Sequence, residues 1–153
     1  MAKSILIGCD SAAVELKEAV VKRLAARGWE VEDVGVETGS DSKAYPLVAA
    51  ELCKRIQAGS FTRRGILLCG TGIGMAIAAN KFRGIYAAVI HDIFSAERAS
   101  LSNSANVAAL GARVVGPHLA LRLVDEWLSL EYKSGPSDSK LEAVRNIEAD
   151  NFK

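Results

Sequence analysis

Cysteine, histidine and aromatic residues are scarce in this chain. Three cysteines, Cys9, Cys53 and Cys69, are spread over 153 residues. An odd, dispersed set without a CxxC pair excludes a disulfide framework and a zinc site of the usual spacing. It fits a reducing compartment. There are only two histidines, and aromatic residues make up 6% of the chain. Charge of one sign is also missing, because 19 Lys and Arg face 18 Asp and Glu for a net charge of +1. Nothing in that balance points to nucleic acid or to an acidic membrane surface as a partner. No apolar stretch is long enough to span a bilayer. The opening MAKSILIGCD has too short an apolar run for a secretory leader, so the expected location is the cytosol. Internal repeats, low-complexity segments and a P-loop signature are absent as well.

What is present is an ordinary globular composition, half apolar and 24% charged. The length suits a single domain over residues 1–153. A chain of this size buries about two thirds of its unfolded surface and needs no staple.

Apolar, β-rich runs alternate with helical patterns along the chain. SILIGC (4–9) reads as a strand ending beside Asp10. Residues 13–27 carry Val14, Leu16, Val20, Val21 and Leu24 at helical spacing, and Gly28 stands where a C-terminal cap belongs. WEVEDVG (29–35) alternates like an edge strand. Tyr45-Pro46 opens a helix over about 46–58. GILLC (65–69) is continuously apolar, as a central strand would be. The spacing then predicts a helix over 73–82, a buried strand GIYAAVI (84–90), a short helix over 94–103 and a fifth strand over 106–111. A helix beginning at Pro117 runs to about 131. KSGPSDS (133–139) breaks the pattern before a last helix over about 139–150, which is expected to pack on a partner subunit. The alternation predicts an α/β fold: a three-layer αβα Rossmann-like sandwich on a five-stranded parallel sheet.

In such sheets ligands bind beyond the carboxyl ends of the strands. Asp10, Cys69, His91 and Gly111 all fall there. Between them lies CGTGIGM (69–75), with glycines at 70, 72 and 74. The dinucleotide fingerprint needs G-x-G-x-x-G, and here Met75 stands where its third glycine belongs. What three glycines offer is a sharp turn with bare backbone N–H groups. Followed by a helix N-terminus, that makes an anion pocket. Thr71 adds a hydroxyl, and the same field favours a thiolate at Cys69.

From the residues alone, Cys69 is either a reactive thiol or a small packing residue. Cys9 and Cys53 read as packing. Asp10 is either a helix N-cap or a carboxylate that orients a substrate hydroxyl. His91 reads as a solvated loop histidine and His118 as a surface residue.

At GCD (8–10), YP (45–46), CGTGIGMAIAANK (69–81), SN..NV (102–107) and GARVVG (111–116), the sequence resembles the ribose-5-phosphate isomerase B family, which includes the galactose-6-phosphate isomerase subunits. The likeness runs over nearly the whole chain. It implies an aldose–ketose isomerase acting through a cis-enediolate on a small sugar phosphate, without a metal or organic cofactor. By resemblance, Cys69 moves the proton between C1 and C2, and Asp10 handles hydroxyl protons. Thr71 and the amides of Gly70, Gly72 and Gly74 hold the developing oxyanion. Asn103 touches the same oxygen, Arg113 contacts phosphate, and Tyr45 lines the site. The family's sites are shared across a dimer, so a homodimer or homotetramer is expected. Asn103 and Arg113 are then expected to act on the loop of another subunit.

Three positions depart from the pentose-phosphate pattern. Ser11 replaces a phosphate-binding histidine. Ser102 replaces the histidine that opens the furanose ring. Pro136 and Lys140 stand where two phosphate-binding arginines are expected, leaving Arg113, Lys140 and Arg145 as candidate cations; Lys140 reads equally well as a solvated lysine. A tetrose 4-phosphate has its C4 oxygen blocked and cannot close a furanose, so its enzyme needs no ring-opening histidine. HDIFSAERASLSNSANV also resembles the branch that interconverts D-erythrulose 4-phosphate and D-erythrose 4-phosphate. Two other readings compete: a non-catalytic sugar-phosphate-binding subunit, against which Asp10 and Cys69 argue, and a nucleotide-binding module.

Overall fold

A computed structural model describes residues 3–152. Met1, Ala2 and Lys153 lie outside the described residues, so the start of the stretch read above as too short for a leader is not covered. The sheet has five parallel strands in the order β2-β1-β3-β5-β4. These are β1 (Lys3–Cys9), β2 (Trp29–Asp33), β3 (Arg64–Cys69), β4 (Ala87–Val89) and β5 (Val107–Gly111). The helices are α1 (Val14–Ala26), α2 (Tyr45–Ala58), α3 (Ile73–Ala79), α4 (Ile93–Leu101), α5 (Pro117–Ser129) and α6 (Asp138–Asn151). Helices α2 and α3 pack on one side, while α1 and α5 cover the other, with α4 against α5. The αβα sandwich read from the alternation is the fold observed.

Strands buried on both faces read as unbroken apolar runs. Ile5, Leu6 and Ile7 on β1 and Ile66, Leu67 and Leu68 on β3 are fully buried. Each such side chain contributes about 1.5–3 kcal/mol relative to exposure. Pro117 begins α5, and Gly28 closes α1 in the left-handed region at φ 81°. At the amino end of the sheet, Arg64 caps α5 by donating to the carbonyls of Trp127 (2.9 Å), Leu128 (2.9 Å) and Leu130 (3.1 Å). Burial holds its guanidinium pKa below the usual arginine value.

The segment 84–90 corrects the reading of a buried strand. Only Ala87–Val89 forms β4; all three residues are half-buried, and the strand lies at the sheet's edge. Side-chain amides take over backbone pairing around it. Asn80 donates to the Ala87 carbonyl (2.9 Å) and accepts from its N–H (2.8 Å), which closes the open edge. Asn106 accepts from the Tyr86 N–H (2.8 Å). An apolar run signals burial of side chains, but it does not reveal that polar side chains will end a ladder.

The last helix, α6, buries only Leu141. Glu148 ties it to the β4 edge by accepting from the Gly84 N–H (2.7 Å) and the Tyr86 hydroxyl (2.9 Å).

Candidate active site

Three strands end side by side, and the loops leaving them are stitched together. The Asp10 N–H donates to the Leu68 carbonyl (3.2 Å), that of Ala112 to Cys69 (2.9 Å) and that of Arg113 to Gly70 (3.0 Å). Cys69 closes β3 directly opposite Gly111 on β5. This is the carboxyl edge, where parallel sheets bind ligands.

The turn after Cys69 depends on Gly72, which sits in the left-handed region at φ 75°. A Cβ there would lie 2.9 Å from the Leu110 carbonyl carbon, so only glycine lets the two backbones approach. The turn aims the Gly72 N–H at the sulfur of Cys69, 3.1 Å away. The Ile73 N–H is taken by the Thr71 hydroxyl oxygen at 3.3 Å. Thr71 itself is exposed, and its hydroxyl proton is free to point outward.

The three cysteines thus occupy different surroundings. Cys9 and Cys53 are 0% exposed, whereas Cys69 is 5% exposed at the mouth of the loop. The Cys9 thiol donates to the Val36 carbonyl, and burial pushes its pKa up to about 11. Burial pushes Cys53 up to about 12. Both are the packing residues that the sequence suggested.

Asp10 is the N-cap of its first reading. One carboxylate oxygen caps the short 3-10 turn Ser11–Ala13 by accepting from the Ala12 N–H at 3.0 Å. The other has no hydrogen bond among the described residues. Ser11 follows on the exposed surface. The Tyr45 ring covers Gly74 so closely that a Cβ there would lie 2.6 Å from it. The Arg113 guanidinium covers Gly70, 3.1 Å from where a Cβ would stand. Arg113 therefore meets the loop of its own chain.

His91 corrects its sequence reading. It is half-buried, and its Nε2 accepts from the Gly111 N–H at 2.9 Å. Desolvation holds its pKa below the ordinary histidine value, against a smaller opposing pull from Asp92. It buttresses the strand end facing Cys69 and is not a free loop side chain.

Asp10, Ser11, Tyr45, Cys69, Gly70, Thr71, Gly72, Gly74 and Arg113 are thus gathered at one edge. Asn103 and Lys140 are elsewhere. The 102–106 segment adjoins the amino ends of the strands, where Asn106 accepts from the Gly65 N–H at 2.9 Å. The span from Gly65 to Cys69 is about 13 Å of extended chain. Asn103 lines a groove of about 290 Å³ with Asn80, Tyr86, Leu141, Val144 and Arg145. Lys140 is exposed in the first turn of α6 nearby.

Sequence reasoning passed over Arg98, which donates to the Ser102 hydroxyl at 3.1 Å. The i, i+4 spacing on α4 was the available signal. It also passed over Glu148, whose tie to Tyr86 bridges 62 positions and has no local signature.

Among the described residues no cluster of three or more His, Cys, Asp or Glu side chains is placed to hold a metal ion. No helix among them is long and apolar enough to cross a membrane.

The sequence pattern of the family described as Ribose/Galactose Isomerase matches residues 5–144. The chain is 48% identical over 141 residues to D-erythrulose-4-phosphate isomerase of Pectobacterium atrosepticum, covering 92% of each chain. It is 43% identical to ribose-5-P isomerase B of Listeria innocua, covering 96% of this chain and 98% of that one. Its fold is similar to the crystal structure of ribose-5-phosphate isomerase B from Mycoplasma genitalium with bound ribulose-5-phosphate, with a TM-score of 0.92, 28% identity and 99% coverage of both chains.

Proposed function

The chain belongs to the ribose/galactose isomerase family, and from that membership and the strand-end geometry we propose a cysteine-based aldose–ketose isomerase that prefers a four-carbon sugar phosphate. Isomerisation of a phosphorylated aldose and ketose is the activity class of its relatives. The residue roles and the substrate preference are our own reading.

The observation that carries it is the Cys69 sulfur facing the Gly72 amide at a strand's carboxyl end. A proton beside a carbonyl is weakly acidic, so its removal places negative charge on oxygen. Cys69, as thiolate, takes the proton from C2 of the aldose. The electron pair forms the C1=C2 bond, and the charge collects on O1. Loop amides and the Thr71 hydroxyl hold that oxygen. Fixed donors of this kind are worth about 3–4 kcal/mol each. The free oxygen of Asp10 passes a proton from O2 to O1. Cys69 then returns its proton to C1, which leaves the carbonyl at C2. The reaction moves protons only and draws on no redox or organic cofactor.

Asn103 and Lys140 reach such a site only from a second copy of the chain. The rim around the loop is suited to that copy. Ile73 (55% exposed) and Ile77 (59%) lie one turn apart on α3. A homodimer docked there completes each site with the other copy's Asn103, and two dimers can pair further into a tetramer. The cytoplasm is the matching location for a free sugar phosphate.

Ser102 supports the tetrose preference, since serine cannot move the proton that opens a furanose at neutral pH. Turnover of D-erythrose 4-phosphate and ribose 5-phosphate, measured side by side, tests it. The expected result is a clearly higher kcat/KM for the tetrose, with Ser102→His shifting the ratio toward the pentose. A clear preference for ribose 5-phosphate in the unaltered enzyme would overturn the tetrose reading.

A further inference from the structure

We infer that His91 is a positioning residue for the isomerisation: as a neutral imidazole it holds the Gly111 turn against the loop that follows Cys69, and on gaining a proton it releases that turn. The inference rests on the isomerase reading, because it takes that loop to hold the reacting oxygen.

Just past β4, the Ile90 N–H still pairs with the Ala109 carbonyl at 3.0 Å. The next step of the ladder is different. The Gly111 N–H is met by a side chain, the Nε2 of His91, at 2.9 Å. A carbonyl in that place would accept at any pH. An imidazole accepts there only while its proton sits on Nδ1. A second proton turns Nε2 into a donor aimed at another donor. Gly111 is buried, so an unpaired N–H there is costly.

The reactive loop leans on Gly111. This residue lies opposite Cys69 in the sheet register. A Cβ on it would stand 2.6 Å from the Thr71 Cα, so the two backbones touch. The turn that follows donates from Ala112 to the Cys69 carbonyl and from Arg113 to the Gly70 carbonyl. A shift of Gly111 therefore moves the base and the Thr71 hydroxyl together.

Few charges compete for the imidazole. Strand β5 and helix α3, which pack against β4, carry no ionisable side chain. Asp92 caps α4 by accepting from the Ser95 N–H (2.7 Å) and hydroxyl (2.6 Å). On α4, Glu97 and Arg98 pair with each other at 3.0 Å. Helix α6 brings Glu148 to Gly84 and Tyr86, before the other end of β4. Cys69 and Arg113 lie across Gly111. Desolvation outweighs the pull of Asp92 and favours the neutral ring.

His91→Gln and His91→Leu test this in the full-length enzyme. Glutamine offers a carbonyl oxygen near the place of Nε2 and does not titrate, whereas leucine offers no acceptor. At pH 8, His91→Leu is expected to lower kcat by about 10-fold, and His91→Gln to recover it to within about three-fold. Equal kcat in the two variants would overturn the inference. The second reading is the kcat of the unaltered enzyme divided by that of His91→Gln, on D-erythrose 4-phosphate from pH 8 to 4.5. This ratio cancels the ionisations both share, those of Cys69 and of the substrate phosphate. It is expected to stay level at neutral pH and to fall by about 10-fold as His91 gains its proton. A level ratio throughout, with both proteins folded by circular dichroism, would overturn the inference. Should a variant fail to fold, NMR of the unaltered protein carries the test, since it has only two histidines to assign. The amide shifts of Gly111, Thr71 and Gly72 are expected to move with the His91 midpoint, and unmoved amides would overturn the inference. If the unaltered protein turns over no aldose phosphate, the isomerase reading fails by itself. The hold of His91 on the loop then stands or falls on the same amide shifts.

Discussion

Two regions of this molecule hold a cysteine against a backbone polar group, with opposite consequences. In the interior, the thiols of Cys9 and Cys53 donate toward the carbonyls of Val36 and Ala79, and both residues are fully buried. At the carboxyl edge the polarity is reversed, because the sulfur of Cys69 accepts from the Gly72 N–H. A thiol buried away from water is held neutral and inert. A sulfur that accepts from an amide is held in a loop that offers donors to an anion. The difference comes from one glycine-rich turn and not from the residue type.

The sharpest way to break that comparison is to delete the sulfurs one at a time. Cys69→Ala is expected to lower kcat by about 10²–10⁴-fold, the range for a positioned acid–base group, with the fold intact. Cys9→Ala and Cys53→Ala should leave kcat nearly unchanged and cost about 1 kcal/mol of stability through lost packing. Steady-state kinetics paired with urea denaturation separates the two patterns. Comparable loss of kcat in all three variants would erase the distinction.

The next test removes the turn. Gly72→Ala adds a Cβ in the left-handed region against the Leu110 backbone, and is expected to cost about 1–3 kcal/mol. It should also lower kcat, since the amide no longer meets the sulfur. Gly28→Ala shares the positive φ but has nothing within 4 Å of the added Cβ. It should destabilise by only about 1–2 kcal/mol and leave kcat alone. Denaturant midpoints and kinetics of both variants check this pair.

Most of this contrast was visible in the sequence, and the exceptions share a cause. The continuous apolar runs at 4–9 and 65–69 marked the central strands, because both of their faces are covered. The G-x-G-x-G spacing after Cys69 marked a turn with free amides, because glycine at such positions has few other uses. By contrast, the β4 edge and His91 were misread. Asn80, Asn106 and Gly111, which decide their roles, are brought to them by tertiary contacts that no local pattern announces. Asn103 and Cys69 fall in motifs that the sheet puts at opposite ends of its strands, and the family likeness had already assigned Asn103 to another subunit's loop.

A smaller effect sharpens the comparison through pH. The raised values of Cys9 and Cys53 mean that the folded chain keeps these thiols protonated where the unfolded chain releases its protons. Their contribution to stability is therefore complete below about pH 8.5, the ordinary thiol range, and is lost as pH rises toward 11–12. Urea melts between pH 8 and 10.5 should show falling stability. The slope should be shallower in the Cys9→Ala, Cys53→Ala double variant. A slope that is unchanged in the double variant would place its origin elsewhere.

The central claim is that the Cys69 sulfur carries the proton at C2. Isomerase and substrate in deuterated water, followed by NMR at C2 of D-erythrose 4-phosphate and of ribose 5-phosphate, tests it most directly. The account predicts deuterium entering C2 with the unaltered enzyme and essentially none with Cys69→Ala. Undiminished exchange in Cys69→Ala would contradict it and move the base to another residue.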